Sequence, residues 1–274
     1  MYWAVMAALV CVFLFSGWKL FEIWRGQNQI SQETETYAKY LTQNESDDSD
    51  SADDVLSEDP SSVPEVKEEY FNPDWASLKA ANPNIVGWII VPGTGISYPV
   101  VQGADNDYYL TRTYTGQSNR LGSVFLDAAA SSDFTTDNSI IYGHSVDIGG
   151  MFTNLKDFAD QSFFESHPYF WLLTPDGNYQ CEITVFYQGA DDAAVYYSEF
   201  GDEESRKTIL NAMQNESTYF RGINPENYGI AAADAHYVTL STCNLNYGFN
   251  SDQRYVLTAL MVPYKSQIPV SEAA

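Results

Sequence analysis

The sequence predicts a mainly β protein: a closed β-barrel with short peripheral helices and one longer helix near residues 201–218. Three observations point there. From Tyr70 onward, strand-like apolar runs recur seven or eight times between turn-rich segments. The helical patterns between them are short, which suits a barrel better than a βαβ sheet. Aromatic residues make up 15% of the chain, enough to support a β-rich core.

The N-terminal part is built differently. "MYWAVMAALVCVFLFSGW" is an uncharged apolar run, followed by "KLFEIW" and Arg25. At about 1.5 Å per residue it nearly crosses a hydrocarbon core of about 30 Å, so residues 1–25 read as a membrane anchor. A signal peptide would want a basic leader and a clear cleavage site. A buried core helix would not normally precede an acidic linker. Lys19 and Arg25 follow the run and nothing basic precedes it, which argues weakly against an outside C-terminus; long domains, however, translocate largely regardless of charge. Residues 26–70 are polar, and "NESDDSDSADDVLSEDPSSVPEVKEE" has too little apolar surface to offset its ordering entropy. They read as a flexible, self-repelling stalk, with an acidic interaction tail as the alternative.

The folded part is expected over residues 71–265, with a tail over 266–274. "NPDWASLKAANPN" predicts a short helix beginning near Asp74 and stopping before Pro83. Strands are expected at "IVGWIIV" (85–91), "ISYPVVQ" (96–102), "GSVFLDA" (122–128) and "NSIIYGH" (138–144). Short helices at 151–160 and 161–167 lead to strands "PYFWLLTP" (168–175) and "YQCEITVFYQ" (179–188). "GDEESRKTILNAMQNEST" (201–218) is the best helix, with Ile209, Leu210 and Met213 on its apolar face. "HYVTLSTC" (236–243) and "RYVLTALMV" (254–262) close the domain. There is no internal repeat.

Charge and cysteine usage narrow the function. The net charge of −24 is spread over both the polar segment and the folded part, so nucleic acid is not an expected partner. Of the three cysteines, Cys11 lies in the apolar run and Cys181 sits mid-strand as a small hydrophobe would. No CxxC or Cys/His cluster has zinc-like spacing, so neither a metal nor another cofactor is expected. Cys243 ends one predicted strand and Arg254 begins the next, which places them opposite each other across a loop. Such a thiol is either a packed core residue or a nucleophile.

The histidines separate by context. His167 precedes Pro168 at a helix end and reads as a cap residue; His236 reads as structural. His144 follows "IIYG" at a strand terminus, where glycine lets the chain turn and exposes the imidazole. Thiol chemistry asks for such a set. A thiol with a pKa of about 8.5 needs a cationic neighbour or a base, and an imidazole supplies either. A fixed guanidinium stabilises the oxyanion of acyl transfer.

"TLSTC" (239–243), "YGH" (142–144) and an arginine leading into the following strand together resemble the sortases, specifically class B. The resemblance runs over about residues 70–265 and includes "VGWIIVPGTGISYPVVQ", "DNDYYL" (105–110), "GSVFLD" and "IIYGHSVDIGGMF". The helix at 201–218 resembles the one such enzymes carry between their sixth and seventh strands. The loop "NLNYGFNSDQ" has no fixed motif, so Arg254 is placed by the strand after it.

The resemblance implies an eight-stranded sortase-type barrel and an extracytoplasmic, membrane-anchored cysteine transpeptidase of the Gram-positive cell surface. Such an enzyme cleaves a C-terminal sorting motif after threonine, forms a thioacyl enzyme and passes the acyl group to a peptidoglycan amine. It implies Cys243 as nucleophile, His144 as general acid/base and Arg254 as substrate and oxyanion clamp. Asn106, Leu110, Tyr142 and Ser241 match positions lining the sorting-signal groove. The implied partners are surface proteins bearing sorting signals, the acceptor amine and the membrane. "VPYKSQIPVSEAA" at the C-terminus has neither sorting motif nor apolar tail, so the chain reads as enzyme, not substrate. The residues alone leave two rivals: a cysteine peptidase or amidase that transfers to water, and a non-enzymatic wall-binding module.

Overall fold

A computed structural model describes residues 2–41, 69–146, 149–248 and 251–273. In chain order these form helix α1 (Tyr2–Ala38), strand β1 (Tyr70–Phe71), helix α2 (Trp75–Ala81) and strands β2 (Ile85–Val91) and β3 (Ile96–Gln102). Strands β4 (Val124–Leu126) and β5 (Asn138–Tyr142) follow, then helix α3 (Gln161–Ser166), β6 (Tyr169–Thr174) and β7 (Gly177–Ala190). The chain ends with helix α4 (Glu203–Glu216), β8 (Tyr219–Phe220), β9 (Tyr237–Cys243), β10 (Gln253–Tyr264) and β11 (Ile268–Pro269). All eight long runs predicted as strands are strands.

Those eight close on themselves. The hydrogen-bonded order is β10-β9-β5-β4-β3-β2-β6-β7, and β7 returns to β10. Closure removes every edge of the cycle. Pairing is antiparallel except for β3 with β4 and β5 with β9, which are parallel. The seam β7–β10 is long, from Gln253↔Ala190 to Tyr264↔Asn178, and carries a bulge at Thr258/Ala259. Thr184 is the extra residue there, and its hydroxyl donates to the Thr258 carbonyl (3.1 Å). Such a bulge adds the local twist that lets a long strand curl round a barrel.

Inside lies an apolar core that includes Trp88, Ile89, Val100, Leu126, Phe170, Leu172 and Leu257, all fully buried. A second cluster sits under α4, where Met213 packs with Val185, Phe200, Val256 and Leu260. Asp202 caps α4 by accepting from the Ser205 N–H, and Glu203 and Glu204 complement the helix dipole. Met213 is buried on the predicted apolar face, while Ile209 and Leu210 are half-buried. The same stripe buries Arg206, which pairs with Asp137 and donates to the Ala235 carbonyl (3.0 Å). A cation on that face reads from sequence as solvated; its partner, 69 residues away, is brought by the fold.

The N-terminal segment departs from expectation. α1 does not stop near residue 25 but runs to Ala38, and its later part is docked on the barrel. Asn119 donates its side-chain amide to the Gly26 carbonyl (2.9 Å), and Gln27 donates to the Gly149 carbonyl (3.0 Å). Ile30 and Leu41 are buried in the main core. Asn72 and Asp74 donate their N–H groups to the carbonyls of Leu41 and Tyr40. The chain therefore enters and leaves residues 42–68 at one corner. Residues 26–41 are not a flexible stalk: a largely polar stretch of helix and turn is held on the barrel by hydrogen bonds and by Ile30 and Leu41, which enter a groove that local composition does not reveal. The acidic run expected to be disordered lies outside the described residues. The C-terminal segment is likewise no free tail: Ile268, fully buried, pairs with Phe71.

Burying an aliphatic side chain is worth about 1.5–3 kcal/mol. Removing residues 1–25 should leave the thermal midpoint unchanged, whereas removing 1–41 should lower it by at least about 5 °C, since each kcal/mol moves a domain of this size by roughly 2–4 °C. Equal midpoints for the two truncations in a thermal unfolding series would show that the docked turns contribute nothing.

Candidate active site

Three strand ends meet at one rim of the barrel. β5 and β9 run parallel, with Tyr142↔Ser241 as their last pair. Two residues further along each strand come His144 and Cys243. β10 starts antiparallel to β9 at the same rim, where Arg254↔Cys243 are register partners. Parallel pairing aligns the two C-terminal ends, and the reversal between β9 and β10 brings the arginine back to them. His144, Cys243 and Arg254 line one cavity of about 400 Å³ together with Asn106, Leu110, Tyr142 and Ser241. All seven residues singled out in the sequence thus meet in one place.

The imidazole is held through Nε2, and backbone bonds fix the chain that carries it. Its Nε2 lies 2.9 Å from the Leu110 carbonyl. A carbonyl only accepts, so Nε2 carries the proton and Nδ1 is the basic nitrogen of the neutral ring. Behind it, Gly143 donates to the Ser241 carbonyl (3.1 Å), and the His144 carbonyl accepts from Phe152 (3.0 Å). Gly143 is needed for space, not for a left-handed turn: a Cβ there would stand 2.6 Å from the Phe152 ring.

The guanidinium of Arg254 is held as firmly. Nη1 donates to the carbonyls of Ser251 (2.7 Å) and Gln253 (3.0 Å), within its own turn. Nη2 donates to Asp191 (2.8 Å), the residue just past the end of β7. Across the seam Arg254 stands opposite Gly189, where a Cβ would collide with the Tyr187 hydroxyl. Position 189 must therefore be glycine for the Tyr187 side chain of the same strand to lie there.

Around this rim the polar groups are mutually engaged. Asn106 donates its amide to Asp127 (2.9 Å) and accepts from the Ala128 N–H (2.8 Å), which fixes the "DNDYYL" loop to the end of β4. The Tyr142 hydroxyl donates to the same Asp127 (3.1 Å). Burial, and then the Asp127 charge, pushes the Tyr142 phenol above its usual range, so it stays a neutral donor. The Ser241 and Tyr196 hydroxyls bond at 2.7 Å, and burial likewise raises the Tyr196 phenol. Asp107, Phe125, Asp191, Tyr196 and Thr242 also line the cavity and were missed by the sequence reading. Asp191 and Tyr196 come from "ADDAAVYY", a loop with no motif; only its acidic pair near a strand end hinted at a cation partner.

The cysteines part company here. Cys243 is a half-exposed free thiol in the cavity. Cys181 is fully buried in the barrel, and burial, followed by the Glu182 charge, pushes its thiol well up. His167 caps α3 and stacks on Phe163, and His236 lies 3.2 Å from the Thr136 carbonyl; neither lines the cavity. Among the described residues no group of three His, Cys, Asp or Glu side chains is placed to hold a metal ion.

Comparison with known proteins agrees with this geometry. The family model for the sortase domain matches residues 89–262. Sortase B of Listeria monocytogenes is 31% identical over 237 residues, 85% of each chain. Among solved structures, the Staphylococcus aureus sortase B–substrate complex is 29% identical with a TM-score of 0.62, covering 69% of this chain and 85% of that one. Clostridium perfringens sortase B is 30% identical with a TM-score of 0.61, covering 69% and 100%. A closed barrel of eight strands, a thiol, an imidazole and a guanidinium on one rim, and these likenesses over most of the chain lead to one conclusion: the chain belongs to the sortase family, in its class B, and is a cysteine transpeptidase.

Proposed function

We propose that this transpeptidase is held in the membrane by α1 and joins sorting-signal proteins to a peptidoglycan amine outside the cell. The observation that carries the site assignment is the register pair Cys243–Arg254, with His144 on the rim of the same cavity. The anchoring rests on the part of α1 ahead of its docked turns: by length and composition the helix can cross a membrane, and most of its large apolar side chains from Tyr2 to Trp24 stand exposed. The Staphylococcus aureus neighbour is a sortase B–substrate complex, and a peptide substrate suits this open cavity as well.

Cys243 acts as nucleophile. The Cys243 thiol passes its proton to His144 Nδ1 as Sγ attacks the carbonyl carbon of the sorting-motif threonine, and the oxyanion forms beside Arg254. The C–N bond then breaks, His144 Nδ1 delivers a proton to the leaving amine, and a thioester remains on Cys243. An acceptor amine attacks that thioester; the C–S bond breaks, a new amide forms, and the amine's proton passes to His144. Asn106, Leu110, Tyr142 and Ser241 shape the peptide groove. Asn106 and Tyr142 act through Asp127, and Leu110 lends its carbonyl to His144.

Residues 26–274, which keep the docked turns of α1, can be incubated with candidate sorting peptides with and without an amine. A product heavier than the hydrolysed peptide by the amine less one water supports transfer; hydrolysis alone under all amines supports a peptidase. Cys243→Ala should abolish thioacyl formation with unchanged circular dichroism, and iodoacetamide should label Cys243 in the folded protein while sparing Cys181. A Cys243→Ala protein that still cleaves would remove the thiol from the mechanism.

Arg254→Lys keeps the charge and loses the planar fork. Turnover should fall at least about 100-fold, the scale of one lost oxyanion donor. A surface arginine in an exposed ion pair would be worth only about 0–1 kcal/mol. Near-normal steady-state transpeptidation by folded Arg254→Lys would therefore take the arginine out of the site.

A further inference from the structure

We infer that Asp191 is a positioning residue for transpeptidation: it fixes the plane of the Arg254 guanidinium before substrate arrives. The inference rests on the proposed role of Arg254 at the reacting carbonyl. An oxyanion donor is effective only when it is already aimed at the place where charge will develop, because reorientation during the reaction costs part of its benefit. Arg254 has a long, rotatable side chain, so something must stop it turning.

Its own turn supplies only part of that restraint. The Ser251 and Gln253 carbonyls both bind Nη1 and both lie within three residues of Arg254. They pin one corner of the guanidinium and leave rotation about that corner open. Asp191 closes it from the opposite side. It binds Nη2 at 2.8 Å and comes from the loop after β7, across the seam from β9 and Cys243. With Nη1 and Nη2 both engaged, the plane is set. Of the five N–H groups of an arginine, that of Nε and a second one on Nη2 have no partner among the described residues and remain for a substrate oxygen.

The pair is also placed where a carboxylate can steer without neutralising. The Asp191 side chain is 46% exposed and that of Arg254 only 21%, so water screens the anion more than the cation. Gly189, opposite Arg254 on β7, leaves Asp191 as the group from that side that reaches the guanidinium. A charge-assisted bond is stronger and shorter than a neutral one, so an amide at 191 should hold the fork less well than a carboxylate.

The test uses the full chain in detergent, with steady-state kinetics on a cleaved sorting peptide for Asp191→Ala, Asp191→Asn, Asp191→Glu and Arg254→Lys. Asp191→Ala should lower kcat about 10-fold with KM within about 2-fold, the scale of a misaimed catalytic group. Asp191→Asn should fall between it and the wild type, Asp191→Glu should recover most of the loss, and thermal midpoints should stay together. In an Arg254→Lys background Asp191→Ala should add little, since the two residues act as one unit. Unchanged kcat in Asp191→Ala, with Arg254→Lys impaired, would overturn the inference and leave the role of Arg254 standing. A raised KM at constant kcat would make Asp191 a peptide contact instead, and a midpoint that falls with activity would make it structural. Normal turnover by Arg254→Lys would sink the role of Arg254 itself, and this inference with it.

Discussion

The parallel pairing of β5 with β9 is the constraint on which the rest of the site depends. In an antiparallel pair the end of one strand meets the beginning of the other, and His144 and Cys243 would lie at opposite rims of the barrel. Parallel register from Asn138↔Tyr237 to Tyr142↔Ser241 sends both strands to the same rim. Such a pair needs a long connection, since a tight turn cannot join parallel strands. The chain between Tyr142 and Tyr237 provides it, and in doing so builds α3, β6, β7 and α4, including two of the eight barrel strands.

A buried polar network locks that pairing. Thr239 on β9 donates to Asn138 on β5 (2.8 Å) and lies 2.8 Å from the Thr258 hydroxyl on β10. Asn138 spends its amide hydrogens on the carbonyls of Val195 and Tyr197 (2.9 and 3.0 Å). One asparagine thus ties three strands to the loop that carries Tyr196 to Ser241. A one-residue slip of β9 would leave these buried groups unpaired, each at a cost of about 1–3 kcal/mol. The register that aligns the proposed catalytic groups is therefore specified by satisfied polar contacts as well as by apolar packing.

The wall of the cavity is acidic, yet the reactive rim is not simply negative. Asp127 is occupied by Asn106 and Tyr142, and Asp191 by Arg254. Each of these two carboxylates accepts from a neighbouring side chain. The pattern extends to the N-terminus. Asn119 and Gln27 hold α1 against the barrel, and Gln27 does so at Gly149, in the segment that leads from His144 to Phe152. The helix proposed to sit in the membrane is continuous with turns that brace the catalytic domain.

Much of this was legible in the chain. Short apolar runs bounded by turn-rich segments located all eight barrel strands, because that pattern is local to each strand. The cap Asp74 marks its helix for the same reason: an N-cap bond spans only three residues. "TLSTC", "YGH" and Arg254 stood out as strand-end residues, and the cavity gathers them. What the chain could not show were pairings between residues far apart in sequence. Arg206 with Asp137, Arg254 with Asp191, and Ile30 with the barrel core each join a group that looks solvated or unremarkable to a partner 63 or more residues away. Composition gave residues 26–41 as polar and flexible, since only three-dimensional closure creates the groove that buries Ile30 and Leu41. Local pattern decides where the chain is extended or helical; the register of non-local strands decides which charges meet.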